Sequence, residues 1–332
     1  MSDLIFQFQP TGKLYPNANY KKYPSHKLYL KKKGNLLFQS KPNDVKEFKP
    51  SSGWEESNEP EYHLDDVAGK IISFGKIKRI LCFSYKDITL AIRINKNHPV
   101  IIDCLFDKKV GLIGKFPEDF SEDYINQKLS NYPVKYDLII FRHYLEHFKS
   151  PKLLIKSIKK CLKEKGSMYI EVPDCSKFIV QGNPLFLWEQ HLYYFTKESI
   201  WKIIKDSGIK DCKIYKYGKD IEPSICCFCF NDYEKSNQMI DYSKIDKSNN
   251  ELSIEINFCK YIDSWKKFFQ LSNRKKIILG IGHNADRFIQ ITEAHKYIDY
   301  LVDDDINKQG KFLNNFDKPI TSLEMIKNLK NY

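Results

Sequence analysis

Asp137-Leu138-Ile139-Ile140-Phe141 runs directly into Arg142-His143-Tyr144-Leu145-Glu146-His147-Phe148, and the reading of these two segments decides the fold. The first is short, apolar and rich in branched side chains, the pattern of a strand buried on both faces of a parallel sheet. Leu154, Ile155, Ile158, Cys161 and Leu162 then recur at helical spacing, with Lys165-Gly166 read as the helix stop and Ser167 to Val172 as the next strand. A further helix carries Ile200, Ile203 and Ile204 and ends near Gly208, and two late strands follow, Cys212 to Tyr215 and Ile225 to Phe230. Alternating strands and helices of this kind build an α/β fold of parallel units, here closed by a hairpin.

Upstream, Ile80-Leu81-Cys82-Phe83 and Val100-Ile101-Ile102-Asp103 are two more buried-strand runs. Ligands of open α/β sheets bind at the carboxyl ends of the strands, so the loops after Phe83, Asp103, Phe141 and Val172 are expected to share one crevice. Residues 1–70, rich in Tyr, Pro and Lys without sustained periodicity, read as an irregular arm or small β module, and residues 71–232 as the main α/β domain. Residues 233–332 begin with a polar linker and a helix from Ile254 to Leu271, followed by a smaller α/β unit. That unit has strands at Lys276 to Leu279 and Ile298 to Asp303. Its Gly280-Ile281-Gly282 reads either as a structural turn from strand to helix or as a weak dinucleotide fingerprint, and Asp303-Asp304-Asp305 as a solvated strand end.

The 332 residues leave ample length for a packed core, and no run approaches the roughly 18 apolar residues of a membrane span. A cytoplasmic location is expected. The nine cysteines include no C-x-x-C pair, and Cys226, Cys227 and Cys229 read as small apolar strand residues. The net charge of +12 comes from dispersed lysines, which argues against nucleic acid and is compatible with an anionic small molecule. Bias is strongest in the first fifty residues, with ten Lys against Asp3, Asp44 and Glu47; Lys31-Lys32-Lys33 reads as a solvated turn.

Taken in order, the strand Asp137 to Phe141, the loop ending at His147, the helix closed by Lys165-Gly166, Pro173-Asp174 and Trp188-Glu189-Gln190-His191-Leu192-Tyr193-Tyr194-Phe195-Thr196 form a recognisable set. The set resembles class I S-adenosylmethionine-dependent methyltransferases, especially the sugar C-methyltransferase branch. The tail from Ile278 to Ile320 is similar to the C-terminal Rossmann-like domain of that branch. The resemblance implies a Rossmann-like methyltransferase domain, S-adenosyl-L-methionine as cofactor and a sugar nucleotide as substrate, in a homodimer or with a partner enzyme. By motif position it implies His191 as a base that removes the proton beside a keto group, with His147 as helper; His191 as a structural anchor of its loop is the alternative. It further places Ser84, Asp103, Phe141 and Arg142 beside the cofactor and Trp188, Gln190 and Tyr194 beside the substrate. Asp103 reads equally as a ribose-binding acid and as an ordinary strand-ending Asp.

The chain departs from the family pattern where a glycine-rich turn holds the cofactor. It has Ser84-Tyr85-Lys86-Asp87-Ile88 there, and no glycine between Gly75 and Gly111. Trp188 and Gln190 stand where the family has Tyr and Glu, and the N-terminal zinc-binding cysteines are missing, so no metal is expected. The alternative function is therefore a catalytically degenerate methyltransferase-like protein that binds a sugar nucleotide or scaffolds a glycan-biosynthesis enzyme.

Overall fold

The first fifty residues contribute a sheet. In the computed structural model, which describes residues 4–8, 14–17, 26–34, 36–41, 61–106, 122–130, 134–188, 190–209, 211–218, 223–231, 254–271, 273–314 and 316–327, strand β1 (Leu4–Phe8) pairs antiparallel with β3 (His26–Lys33), and β3 with β4 (Leu36–Gln39). The short β2 (Leu14–Tyr15) leaves this sheet and pairs with a C-terminal strand. Leu28, Leu30 and Leu37 alternate inward and are buried. Lys31-Lys32-Lys33, expected as a turn, lies inside β3: the turn is made one residue later, at Gly34 with φ +60°.

Helix α1 (Leu64–Ser73) buries Leu64, Val67, Ala68 and Ile71, one face at helical spacing, against Ile80, Ile94 and Leu138. It belongs to the main core, so the expected boundary at 70/71 cuts through an element that packs as one piece. The sheet it covers contains β5 (Arg79–Ser84), β6 (Ile101–Phe106), β7 (Tyr136–Arg142), β8 (Leu162–Pro173), β10 (Asp211–Tyr217) and β11 (Ser224–Phe230), in the order β10-β11-β8-β7-β5-β6. Four neighbours, β6, β5, β7 and β8, are parallel, and β11 enters antiparallel between β8 and β10. The late hairpin closes the sheet as its two apolar runs indicated.

Helices α1 and α2 (Ile88–Asn97) cover one face; α3 (Glu122–Ser130), α4 (Pro151–Lys159) and α6 (Lys197–Asp206) cover the other. Pro151 opens α4, where its missing N–H costs nothing, and Thr196 caps α6 by accepting the Ser199 N–H at 3.2 Å. Lys165-Gly166 does not stop α4. The helix ends at Lys159, and Lys163 to Gly166 form a bulge in β8 between the pairs Tyr136–Leu162 and Leu138–Ser167. A Cβ at Gly166 would stand 2.9 Å from the Tyr136 carbonyl oxygen, so glycine admits the close approach of β7.

Helix α5 (Ser176–Gln181) leads toward β9 (Tyr193–Tyr194), which joins the edge of β4 and completes the N-terminal sheet. Helix α7 (Ile254–Leu271) lays Ile254 and Phe258 on this sheet beside Leu28, Leu30 and Tyr194. The last unit has β12 (Ile277–Leu279), β13 (Tyr300–Val302) and β15 (Ile320–Thr321) parallel, α8 (His283–Thr292), and β14 (Phe312–Leu313) paired to β2. It ends with α9 (Leu323–Lys327). The expected boundary at 232/233 lies outside the described residues. No described helix is long and apolar enough to cross a membrane.

Gly182 marks where α5 meets α7. Its φ is +64°, and a Cβ there would lie 2.3 Å from the Asn257 carbonyl carbon, whereas Gly34 at φ +60° has nothing within 4 Å. Gly34→Ala is expected to cost only the left-handed strain of about 1–2 kcal/mol. Gly182→Ala should cost clearly more in thermal unfolding, because backbone must also move; equal losses would show that α7 does not depend on this contact.

Candidate functional site

The order of strands reverses between β5 and β7, so the ligand crevice of the main sheet lies outside the carboxyl ends of these strands. Here the turn after β5 closes on itself. Ser84 Oγ accepts the Lys86 N–H at 3.3 Å, and Asp87 Oδ2 accepts the Ser84 N–H at 2.8 Å. The other oxygen of Asp87 accepts the Arg142 N–H at 3.0 Å, which staples the ends of β5 and β7 together. Arg142 itself is buried, donating from Nε to Glu171 at 2.7 Å and from Nη1 to the Lys86 carbonyl at 3.4 Å.

Glu171 is fully buried and accepts from His63, His143, Arg142 and Tyr169. Burial opposes its charge, but the Arg142 guanidinium and His143 outweigh burial and hold it well below the usual carboxylate range. His143 reaches it from a left-handed backbone, φ +51°, that a non-glycine residue adopts only under constraint. No sequence pattern signalled this residue.

The second cluster gathers around the segment from Pro184 to Phe195. Tyr194, fully buried, donates its hydroxyl to the Trp188 carbonyl at 2.9 Å and so closes the loop that carries His191. The N-terminal sheet holds the same loop: the Gln39 N–H donates to the Leu192 carbonyl at 2.9 Å and Gln39 Nε2 to the His191 carbonyl at 2.8 Å. From the main domain, the Glu146 carbonyl accepts the Leu192 N–H at 2.7 Å.

Within this frame the His147 and His191 rings meet edge to face at 4.8 Å. His147 Nδ1 lies 3.0 Å from the Gln190 carbonyl oxygen, and a carbonyl only accepts, so the hydrogen is on Nδ1 and the lone pair on Nε2. Trp188 lies between His191 and His283, each ring 4.9 Å away, so the C-terminal unit reaches the pocket through the first residue of α8. Burial, then the neighbouring His147 and His283, His143 and Arg287, hold His191 well below the ordinary histidine value. The imidazole is neutral at neutral pH and can accept a proton.

The structure thus brings His147, His191, Trp188 and Gln190 together and adds Gln39 and His283, which no local motif announced. The residues expected beside the cofactor have partners within the protein. Asp103 lies three residues before the end of β6, its carboxylate engaged by Arg79 Nε at 2.7 Å, and Phe141 is core, packed on Phe83 at 4.4 Å. Ser84 and Arg142 do stand at the crevice, but tied into the staple. Tyr194 serves its own loop. In the C-terminal unit the Ile281 N–H donates to Asp303 at 2.7 Å and Lys308 to the same oxygen at 2.9 Å, so the glycine turn is closed by its own strand end; Asp304 and Asp305 are exposed.

Residues 104–213 match the sequence model of a family described as a methyltransferase domain. The central α/β unit, with its parallel strands and covering helices, has a Rossmann-like fold. No curated protein matches the chain in sequence. Among solved structures, a SAM dependent methyltransferase from Archaeoglobus fulgidus is 12% identical over 50% of this chain and 92% of that one, with a TM-score of 0.38. A SAM dependent methyltransferase from Aquifex aeolicus is 10% identical over 55% of this chain and 100% of that one, TM-score 0.37. An O-methyltransferase family protein from Burkholderia thailandensis is 10% identical, TM-score 0.35, over 50% of this chain, which spans only 55% of that protein.

A methyltransferase domain calls for S-adenosyl-L-methionine, and the family match begins after the turn that would hold it. In that turn the N–H groups of Ser84 and Lys86 are bonded within the turn itself, and its residues carry side chains where glycines would let the backbone approach. Residues 107–121 lie outside the described residues.

Two outcomes follow. Burial, the largest influence, pushes the Asp87 carboxyl up to about 7 against the pull of the Ser84 N–H and Arg142. Folding therefore takes up a proton there, a contribution complete below the unfolded value of about 3.9 and lost as pH rises through about 7. Asp87→Asn cannot ionise, so chemical denaturation should show its stability relative to the parent improving from about pH 4 to pH 8; a constant difference would refute the shift. Gln39→Ala leaves a buried carbonyl unpaired and should lower stability by about 1–3 kcal/mol, read by the same method.

Proposed function

We propose that the chain is a SAM-dependent methyltransferase acting on a sugar nucleotide or related glycan precursor, with His191 as the general base. The observation that carries this reading is the pair of imidazoles, His191 buried and His147 half-buried, held at 4.8 Å in a cluster to which all three parts of the chain contribute. Proton removal beside a keto group needs a neutral imidazole, and burial keeps His191 in that form. The C–H electron pair moves into the enolate as its proton passes to His191, which makes the carbon nucleophilic. His147, with its lone pair on Nε2, accepts a hydrogen bond from a sugar hydroxyl. Trp188, packed against His191 and His283, lines the substrate side, and Gln190 offers an amide for the sugar hydroxyls.

A second reading is favoured by the stapled turn: a methyltransferase-like protein that binds the sugar nucleotide, or scaffolds a partner enzyme, without methyl transfer. Calorimetry with S-adenosyl-L-methionine, followed by methyl-transfer assays over a panel of sugar nucleotides, separates the two. The leading reading expects saturable cofactor binding and a rate that falls by roughly 10²–10⁴-fold in His191→Ala. Because the His191 pKa is lowered, the rate should hold as pH falls through about 6.5 and decline only below it. Absence of cofactor binding at millimolar concentration, with sugar-nucleotide binding retained, would leave the second reading standing.

A further inference from the structure

The histidine pocket also contains a ligand set for a metal ion. Glu146, His147 and His191 bring one carboxylate oxygen and one nitrogen of each ring within 4.8 Å of one another. A tetrahedral ion with bonds of about 2.0–2.1 Å needs ligand atoms roughly 3.4 Å apart, so binding draws the three side chains together. The backbone around them is fixed, since the Leu192 N–H is tied to the Glu146 carbonyl at 2.7 Å and the Gln190 carbonyl to His147 at 3.0 Å.

The second of these contacts matters chemically. A ring nitrogen that donates to a carbonyl leaves the opposite nitrogen as a lone pair, and ligating histidines are usually oriented in this way. Two imidazoles and a carboxylate, with a fourth position left for water, make a set for zinc or a similar first-row ion; hard ions such as magnesium and calcium prefer oxygen alone. Glu146 and His191 are both buried, so the ion would also neutralise a carboxylate held away from solvent.

Among the described residues another group, His63, Glu171 and Cys226, has similar spacing. It does not offer the same opportunity. Both Glu171 oxygens already accept two donors each, from His63 and His143 and from Arg142 and Tyr169.

We propose that Glu146, His147 and His191 form a binding site for a divalent transition metal ion of the zinc class. The site goes beyond methyl transfer and stands on these three side chains whether or not His191 is a base. If His191 is the base, the two roles exclude each other, because the ion takes the lone pair that proton removal requires; zinc then inhibits.

The test is titration of the full chain, freed of metal by a chelator, with zinc chloride in the calorimeter and with cobalt(II) in the spectrophotometer. One equivalent should bind saturably, and magnesium should not compete. Glu146→Gln, His147→Ala and His191→Ala should each weaken zinc by more than the roughly 10–100-fold that loss of an outer-shell partner costs, with circular dichroism confirming the fold. Unchanged affinity in all three variants, or sulfur-to-cobalt charge-transfer bands that reveal cysteine ligation, would overturn the site. Neither readout uses catalysis, so a failed methyl-transfer assay and a failed metal site remain distinguishable.

Discussion

A single buried carboxylate, Glu171, holds the centre of this molecule. Its Oε1 lies 2.9 Å from His63 and 3.1 Å from His143, and its Oε2 lies 2.7 Å from Arg142 and 2.9 Å from Tyr169. A bare carboxylate in such a place would cost several kcal/mol, so the four donors are what allow it to remain charged. Each donor belongs to a different part of the scaffold: the start of α1, the end of β7, the loop after it and β8 itself. Losing one partner of a buried pair of this kind typically costs about 3–5 kcal/mol, more than an exposed ion pair contributes.

The same network shapes the two clefts. Arg142 carries the constraint to β5 through Asp87, and in doing so occupies the turn where a methyltransferase domain presents its backbone to a cofactor. His143 carries it the other way, toward Glu146 at 3.9 Å and the histidine pocket. A tightly bonded crevice and a preorganised imidazole pair are therefore two ends of one structure. The pocket is in turn finished from outside the domain, by Gln39 on β4 and by His283 on α8.

Much of the main domain was legible in the sequence. The runs at Ile80, Val100, Asp137 and Ser167 became parallel strands, and the cysteine-rich run became β11, because strands buried on both faces are continuous apolar stretches. Lys165-Gly166 misled because glycine serves a bulge as readily as a helix end, and only the approach of β7 distinguishes them. Lys31 to Lys33 misled because the solvated end of an antiparallel strand can be as charged as a turn. Asp103 lies within β6, which continues to Phe106, and the sequence could not show that Arg79 meets its carboxylate.

The sequence by itself determined the alternation of strands and helices, hence the Rossmann-like sheet, and it singled out His147 and His191. Periodicity and local motif spacing are properties of neighbouring residues, so they survive without a third dimension. Tertiary structure alone decided what surrounds those histidines. Gln39 reaches His191 across 152 positions of chain, and His283 meets Trp188 from a different unit. Such contacts depend on how sheets and helices pack after burying their apolar faces, and no local pattern encodes them.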